Sequence, residues 1–248
     1  MQDNVSKITQ WMIDNPPILQ PDKEPATCNP FKQLSLPNYQ EYNGNSRLGF
    51  IYQELCKRLF EHHSDFSVVA DEIQLFEGKQ TIGAIDFILK RQQKIEHWEV
   101  AIKFYLLQGG LWYGPDSRDR LDIKLDRMLT HQLEMSKSEA FMQRFPNLAD
   151  ITPKLLMHGR LYINPFEPET VPQESVGYTI NPSSIAGNWC YQHQLQLVNE
   201  PLYKLKKYDW IAGTNALTEK LTELSEYAVH CQTLSGDFWF VVPDHWPK

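Results

Sequence analysis

No stretch of this 248-residue chain approaches the roughly 18 consecutive apolar residues that a membrane-spanning helix needs. The first twenty residues, MQDNVSKITQWMIDNPPILQ, lack the basic and apolar blocks of a secretory leader. Cysteine is scarce. Cys28, Cys56, Cys190 and Cys231 stand far apart with no CxxC pair, which reads as four reduced thiols and gives a zinc cluster a weak case. These absences together predict a cytoplasmic protein without membrane contact. Basic residues are also in short supply: 24 Lys and Arg stand against 31 Asp and Glu, for a formal net charge of −7. That balance argues against a broad basic surface of the kind that binds nucleic acid without discrimination, but leaves room for a small basic groove. The phosphate and dinucleotide loops GxxxxGK(S/T) and GxGxxG, the GxSxG elbow and the HExxH zinc motif are missing. No tightly bound organic cofactor is expected.

The chain has an ordinary globular balance, 42% hydrophobic and 22% charged, and is long enough for one large domain or two small ones. Residues 1–45 open with a short helical stretch, Val5–Ile13. Pro16, Pro17, Pro21, Pro25, Pro30 and Pro37 then forbid long helices, and Trp11, Ile13, Ile18 and Leu19 predict an arm docked on the body. Arg47–His62 has Leu48, Ile51, Tyr52, Leu55 and Leu59 at helical spacing. Three strands follow, Val68–Phe76, Thr81–Leu89 and His97–Leu107, the first two joined by a Gly-containing turn. Asp119–Met135 predicts one amphipathic helix. Beyond Ala149 the pattern is β-rich, with strands at His158–Phe166 and Asp237–Val242 and a helix at Thr218–Val229. The expected division is a Pro-rich arm (1–45), a core (46–135) and a C-terminal β-rich extension packed on the core (136–248).

Charge inside the strands carries the functional signal. Asp86 and Glu99 lie in runs otherwise apolar enough for core, TIGAIDFIL and HWEVAIKFYLL, and a buried carboxylate is costly without a partner. Alternation places Glu99, Ala101 and Lys103 on one strand face and Val100, Ile102 and Phe104 on the other. Two carboxylates brought together repel unless a divalent cation bridges them. Asp86 and Glu99 are therefore candidate metal ligands for Mg²⁺ or Mn²⁺, and Lys103 a candidate to orient water or offset phosphate charge. The same residues also fit an ion pair at a sheet surface. Glu54, on the flank of its helix, reads either as partly solvated or as a third carboxylate. Gln132 abuts an apolar stripe and needs hydrogen-bond partners. Asp119, Asp122 and Asp126 read as a solvated face, His97 as an edge or cap or else a flank of the site, and Lys204–Lys207 as a solvated cluster. The tryptophans of the C-terminal half read as packing, since a base-stacking platform needs basic neighbours.

The residues RLGxxxxEL at 47–55, TxGxIDF at 81–87, HWExAxKFYL at 97–106, GPxxxD at 114–119 and KLxRxxxxQL at 124–133 resemble a bacterial family called domain of unknown function 1853. GRLY at 159–162 and GNW at 187–189 extend the resemblance along most of the chain. That family is similar to the PD-(D/E)XK nuclease superfamily. The resemblance implies an α/β, restriction-endonuclease-like mixed sheet flanked by helices, and hydrolysis of DNA phosphodiester bonds with Mg²⁺. The alternative is a non-catalytic interaction or structural module on the same frame. It implies Glu54, Asp86, Glu99 and Lys103 as catalytic residues, Asp86 and Glu99 as metal ligands, and Lys124 and Gln132 as substrate contacts. The superfamily's usual lysine position is Ala101 here. Lys103 stands two residues on, about 6.6 Å along the strand.

Overall fold

The computed structural model describes residues 2–37 and 41–248. Its body is a mixed α/β arrangement built on one large sheet. Helix α1 (Gln2–Asp14) and helix α2 (Leu48–His62) precede a meander of β1 (Phe66–Glu77), β2 (Gln80–Arg91) and β3 (Lys94–Gln108). A turn at Gly109 and Gly110, both at positive φ, returns the chain into the short β4 (Leu111–Tyr113). Helix α3 (Leu121–Arg127) and helix α4 (Glu139–Arg144) lead to β5 (Thr152–Ile163). The rest contributes β6 (Glu174–Ser175), β7 (Tyr178–Thr179), β8 (Ile185–Tyr191), β9 (Tyr203–Lys204), β10 (Val229–Gln232) and β11 (Phe238–Val242).

The sheet runs β1-β2-β3-β5-β8-β11-β10-β9, with β4 on the edge of β3. Its centre, β3-β5-β8-β11, is parallel, and antiparallel pairs flank it on both sides. Strand β5 lies along β3 from Glu96↔Thr152 to Leu106↔Tyr162, so one sheet runs through the 135/136 point of the expected division. Parallel strands covered on both faces read as nearly continuous apolar runs, which β3 and β5 do.

Alternation along β3 sorts the two layers. Val100, Ile102, Phe104 and Leu106 pack with α1 and α2, whose buried stripe includes Leu48, Ile51, Tyr52, Leu55, Leu59 and Phe60. Tyr105 and Leu107 face the other way, with Leu155, Met157 and Leu161 of β5, Leu121 and Leu125 of α3, and Ile18 and Leu19 of the N-terminal arm. That arm also bonds by backbone to the free side of β5. Leu155 N donates to Pro25 O at 2.8 Å, and Ile18 N donates to Met157 O at 2.7 Å. His158 ties three elements together. Its Nε2 lies 3.1 Å from Asn15 O, an acceptor, so Nε2 carries the proton and Nδ1 accepts from the Tyr52 hydroxyl at 2.7 Å. Burial pushes the imidazole down to about 4, so it stays neutral.

Two elements differ from the sequence expectation. The helix expected over Asp119–Met135 is α-helical only to Arg127. Met128–Gln132 forms a π turn, in which Leu133 N bonds Met128 O at 2.9 Å. No helix forms at Thr218–Val229. That segment bonds to β9 instead: Lys204 N donates to Glu219 O and Leu221 N to Leu202 O, at 2.7 and 2.8 Å. Leu221 is buried with Leu202, Cys190 and Trp239, so tertiary pairing outweighs a weak local preference. Residues Asp237–Val242 do form β11, and the strand expected from His158 begins earlier, at Thr152.

Strands β3 and β5 leave no room for a side chain at Gly159, where an added Cβ would lie 1.8 Å from the Lys103 carbonyl oxygen. The Ile18 side chain, 2.8 Å away, could shift, but the Lys103 main chain cannot without breaking the β3–β5 ladder. Gly159→Ala is therefore expected to cost about 3 kcal/mol or more in chemical denaturation, at the upper end of core overpacking. A cost below about 1 kcal/mol would show that the strands are not packed this tightly.

Candidate functional site

The functional residues gather where the sheet forks. The β2–β3 ladder starts at Arg91↔Lys94 and stops at Phe87↔Trp98, although both strands continue. Beyond that point β2 stays with β1, and β3 stays with β5. The cause lies in β1 and β2. Ile85 packs with Ile73, Leu75, Met135 and Phe141, whereas Phe87 packs in the α2 layer. Strict alternation would put residues 85 and 87 on one face. The phase slips at Asp86, across from Glu72, which the pairs Asp71↔Phe87 and Ile73↔Ile85 bracket and whose φ is +47°.

At the fork, carboxylates stand in for the lost ladder acceptors. Asp86 Oδ2 accepts from Val100 N at 2.9 Å, and Glu99 Oε1 accepts from Asp86 N at 3.3 Å. Glu99 is 0% exposed and held on both oxygens. His97 Nε2 lies 3.0 Å from Oε1, and Gln132 Nε2 donates to Oε2 at 2.8 Å. The π turn positions Gln132 for this bond, an instance of a π bulge serving a site. Lys124 Nζ donates to Gln132 Oε1 at 2.7 Å. An ammonium can only donate, so Lys124 orients the Gln132 amide, and Gln132 Nε2 must donate to Glu99. On the other side His97 Nδ1 lies 3.0 Å from Ser136 Oγ.

Burial sets the charges, with repulsion by Glu99 added at Asp86. Asp86 is pushed up to about 8, first by burial and then by Glu99, although one edge of it meets solvent. Glu99 is pushed up to about 7 by burial, against the bonds from Asp86 N and Gln132 and the charge of Lys124. Burial holds His97 down to about 4, so it is neutral. With Glu99 ionised, His97 Nε2 carries the proton and Nδ1 accepts from the Ser136 hydroxyl. Lys124 is lowered by burial and by Lys103, while Glu99 and Asp86 raise it.

Asp86, Glu99, Lys124 and Gln132 are thus brought together. Lys103 lies on the Glu99 face but pairs with Asp119, which also accepts from the Tyr105 hydroxyl at 3.3 Å. Glu54 stays on the outer side of α2, where Arg58 Nε donates to it at 2.8 Å, and no bond joins it to Asp86 or Glu99. Sequence reasoning preferred an edge or capping role for His97 and did not single out Ser136. The signal for His97 was its place two residues before Glu99, on the same strand face; Ser136 had none. Asp119, assigned to a solvated face, instead partners Lys103.

Among the described residues no three His, Cys, Asp or Glu side chains form a metal-holding group. The donors still fit one hard cation. None of the described residues bonds Asp86 Oδ1, and Glu99 Oε2 accepts a single hydrogen bond. Two carboxylates held near neutrality by burial and repulsion are what a divalent charge would ionise.

The family model described as Domain of unknown function (DUF1853) matches residues 7–237. No curated protein and no solved structure matches the chain. None of the described helices is long and apolar enough to cross a membrane.

The raised carboxylates give a pH signature. Asp86 ordinarily titrates at 3.8 and Glu99 at 4.5, so between those values and about 8 and 7 the folded state holds protons that the unfolded state has released. Their contribution to stability is complete below about 4 and is lost as pH rises through 7 to 8. His97 and His158, ordinarily at 6.5 and held down to about 4, work in the opposite sense below 6.5. The clean window is therefore about pH 6.5–8. Over it, in chelated buffer, the melting temperature should fall, and Asp86→Asn should flatten the slope; an unchanged slope would place the titration elsewhere.

Proposed function

The chain belongs to the DUF1853 family, and we propose that this member is a nuclease-like hydrolase of DNA phosphodiester bonds, built on a restriction-endonuclease-like frame and dependent on Mg²⁺ or Mn²⁺. The observation that carries this reading is the fork. Two carboxylates from diverging strands meet there, with a lysine charge facing both. Two buried carboxylates whose ionisation is this costly are expensive to keep in a role that is only structural.

Asp86 Oδ1 and Glu99 Oε2 are the oxygens that would hold the ion. When bound, the ion would neutralise charge on the phosphate and acidify a coordinated water. Gln132 and His97 fix the Glu99 carboxylate from its two sides. The backbone amide of Val100 fixes Asp86. Lys124 takes the cationic position that spacing had suggested for Lys103, and its lowered affinity for protons suits a group that must meet a phosphate while partly desolvated.

A second reading has its own support. Glu99 is fully buried with both oxygens engaged, and Lys103 is occupied by Asp119, which suits a non-catalytic module that keeps the fork as a strand clamp. Calorimetric titration of Mn²⁺ separates the two. The hydrolase reading expects saturable binding near one ion per chain, lost in Asp86→Ala, with Mg²⁺ raising the melting temperature of the wild type only. It also expects cleavage of single-stranded, duplex or branched DNA to drop at least 100-fold in Glu99→Gln and Lys124→Met. Equal Mn²⁺ uptake by wild type and Asp86→Ala would leave the module reading standing.

A further inference from the structure

Strand β3 has a free edge in the middle of the sheet. Its ladder with β2 ends at Trp98, and its ladder with β4 begins only at Leu106. From Val100 to Leu106 is six residue steps, about 20 Å at 3.3 Å per residue. Two contacts fix which way the main chain points there. Val100 N is directed to Asp86, on the β2 side. The Lys103 carbonyl is directed at Gly159 of β5. By alternation Ile102 and Phe104 share the direction of Val100, so their N–H and C=O groups face away from β5. Among the described residues no carboxylate bonds them as Asp86 bonds Val100. They meet a cleft of about 620 Å³ that both residues line.

Charge and shape indicate an occupant. Lys103 and Asp119 cancel each other in the cleft wall. Arg118, Lys207 and Lys248 then stand against Asp116 and Glu226, a near balance that suits a segment of little net charge and not a polyanion. Trp210 and Tyr227 offer apolar surface beside the edge. Tyr227 is 80% exposed, and Lys207 Nζ lies 4.2 Å from the centre of the Trp210 ring. Protein folds usually protect a free strand edge, because its row of unpaired donors and acceptors invites another strand. Here a short interval is left open, walled by aromatic side chains.

We propose that this cleft captures an extended peptide segment of a partner protein, which adds as a short strand to β3 at Ile102 and Phe104 and sets an apolar side chain against Trp210 and Tyr227. The capture is independent of hydrolysis at the fork.

The test begins with a random-heptapeptide phage library selected on the immobilised full chain. An enriched peptide is then synthesised and titrated into ²H,¹⁵N-labelled protein. Shifts and slowed exchange at the Ile102 and Phe104 amides are expected. N-methylation of alternate peptide amides should weaken binding at least tenfold, since it removes ladder donors and leaves the side chains. Tyr227→Ala, at a highly exposed position, should weaken it at least threefold without changing the melting temperature. Peptide affinity should be the same in chelated buffer and with Mg²⁺ added, since the fork carboxylates take no part in the capture. The proposal is overturned if no peptide is enriched, if the enriched peptides move amides elsewhere, or if N-methylation has no effect. It is equally overturned if a thymidine octanucleotide moves the Ile102 and Phe104 amides while the peptides do not, which would make the cleft a nucleic-acid site.

Discussion

The molecule depends on a substitution inside its sheet, where two side-chain carboxylates do the work of main-chain carbonyls. Strands β2 and β3 pair as far as Phe87 and Trp98 and then diverge. Splitting a sheet exposes amides that must be satisfied, and an orphaned buried N–H costs about as much as a lost hydrogen bond. Asp86 takes the amide of Val100, and Glu99 takes the amide of Asp86. Each strand thus lends the other an acceptor, and the fork stays open with its main chain satisfied.

That arrangement transfers the difficulty from the backbone to the carboxylates, which are then buried near each other. The surrounding side chains answer it with a directional chain of bonds. Lys124 orients Gln132, Gln132 donates to Glu99, and neutral His97 closes the other side with Ser136 behind it. Partial compensation leaves Asp86 and Glu99 well above the usual carboxylate range. A site in that condition can respond to a proton or to a divalent cation, and the competition between the two is what its stability should report. The divergence also leaves part of the β3 edge without a neighbour, so the same break accounts for the cleft at Ile102 and Phe104.

The rest of the chain holds β3 in place. Helix α2 covers one face of it, and α3 with the proline-rich arm covers the other. Strand β5 locks its far edge at the Gly159 contact, and His158 joins β5 to α2 and to the end of α1 through two hydrogen bonds. The C-terminal strands extend the sheet beyond β5, and the connection from β9 to β10 supplies Lys207, Trp210 and Tyr227 to the cleft.

Local pattern was enough to determine much of this. Apolar spacing marked α2, and alternation with turn glycines marked β1, β2 and β3, because these segments bury one face or both along much of their length. The cost of burying charge singled out Asp86 and Glu99 by the same logic. Tertiary structure decided what local pattern does not encode. The helix over 119–135 gives way to a π turn because Gln132 has a buried carboxylate to reach. The segment 218–229 is not helical because β9 offers its backbone better partners. In one dimension Lys103 was the partner expected for the strand carboxylates, and Lys124 a substrate contact. Asp119 claims Lys103 in three, which leaves Lys124 to face the carboxylates. Sequence determines which groups cannot tolerate burial alone, whereas which partner each one finds depends on distances that only the folded chain sets.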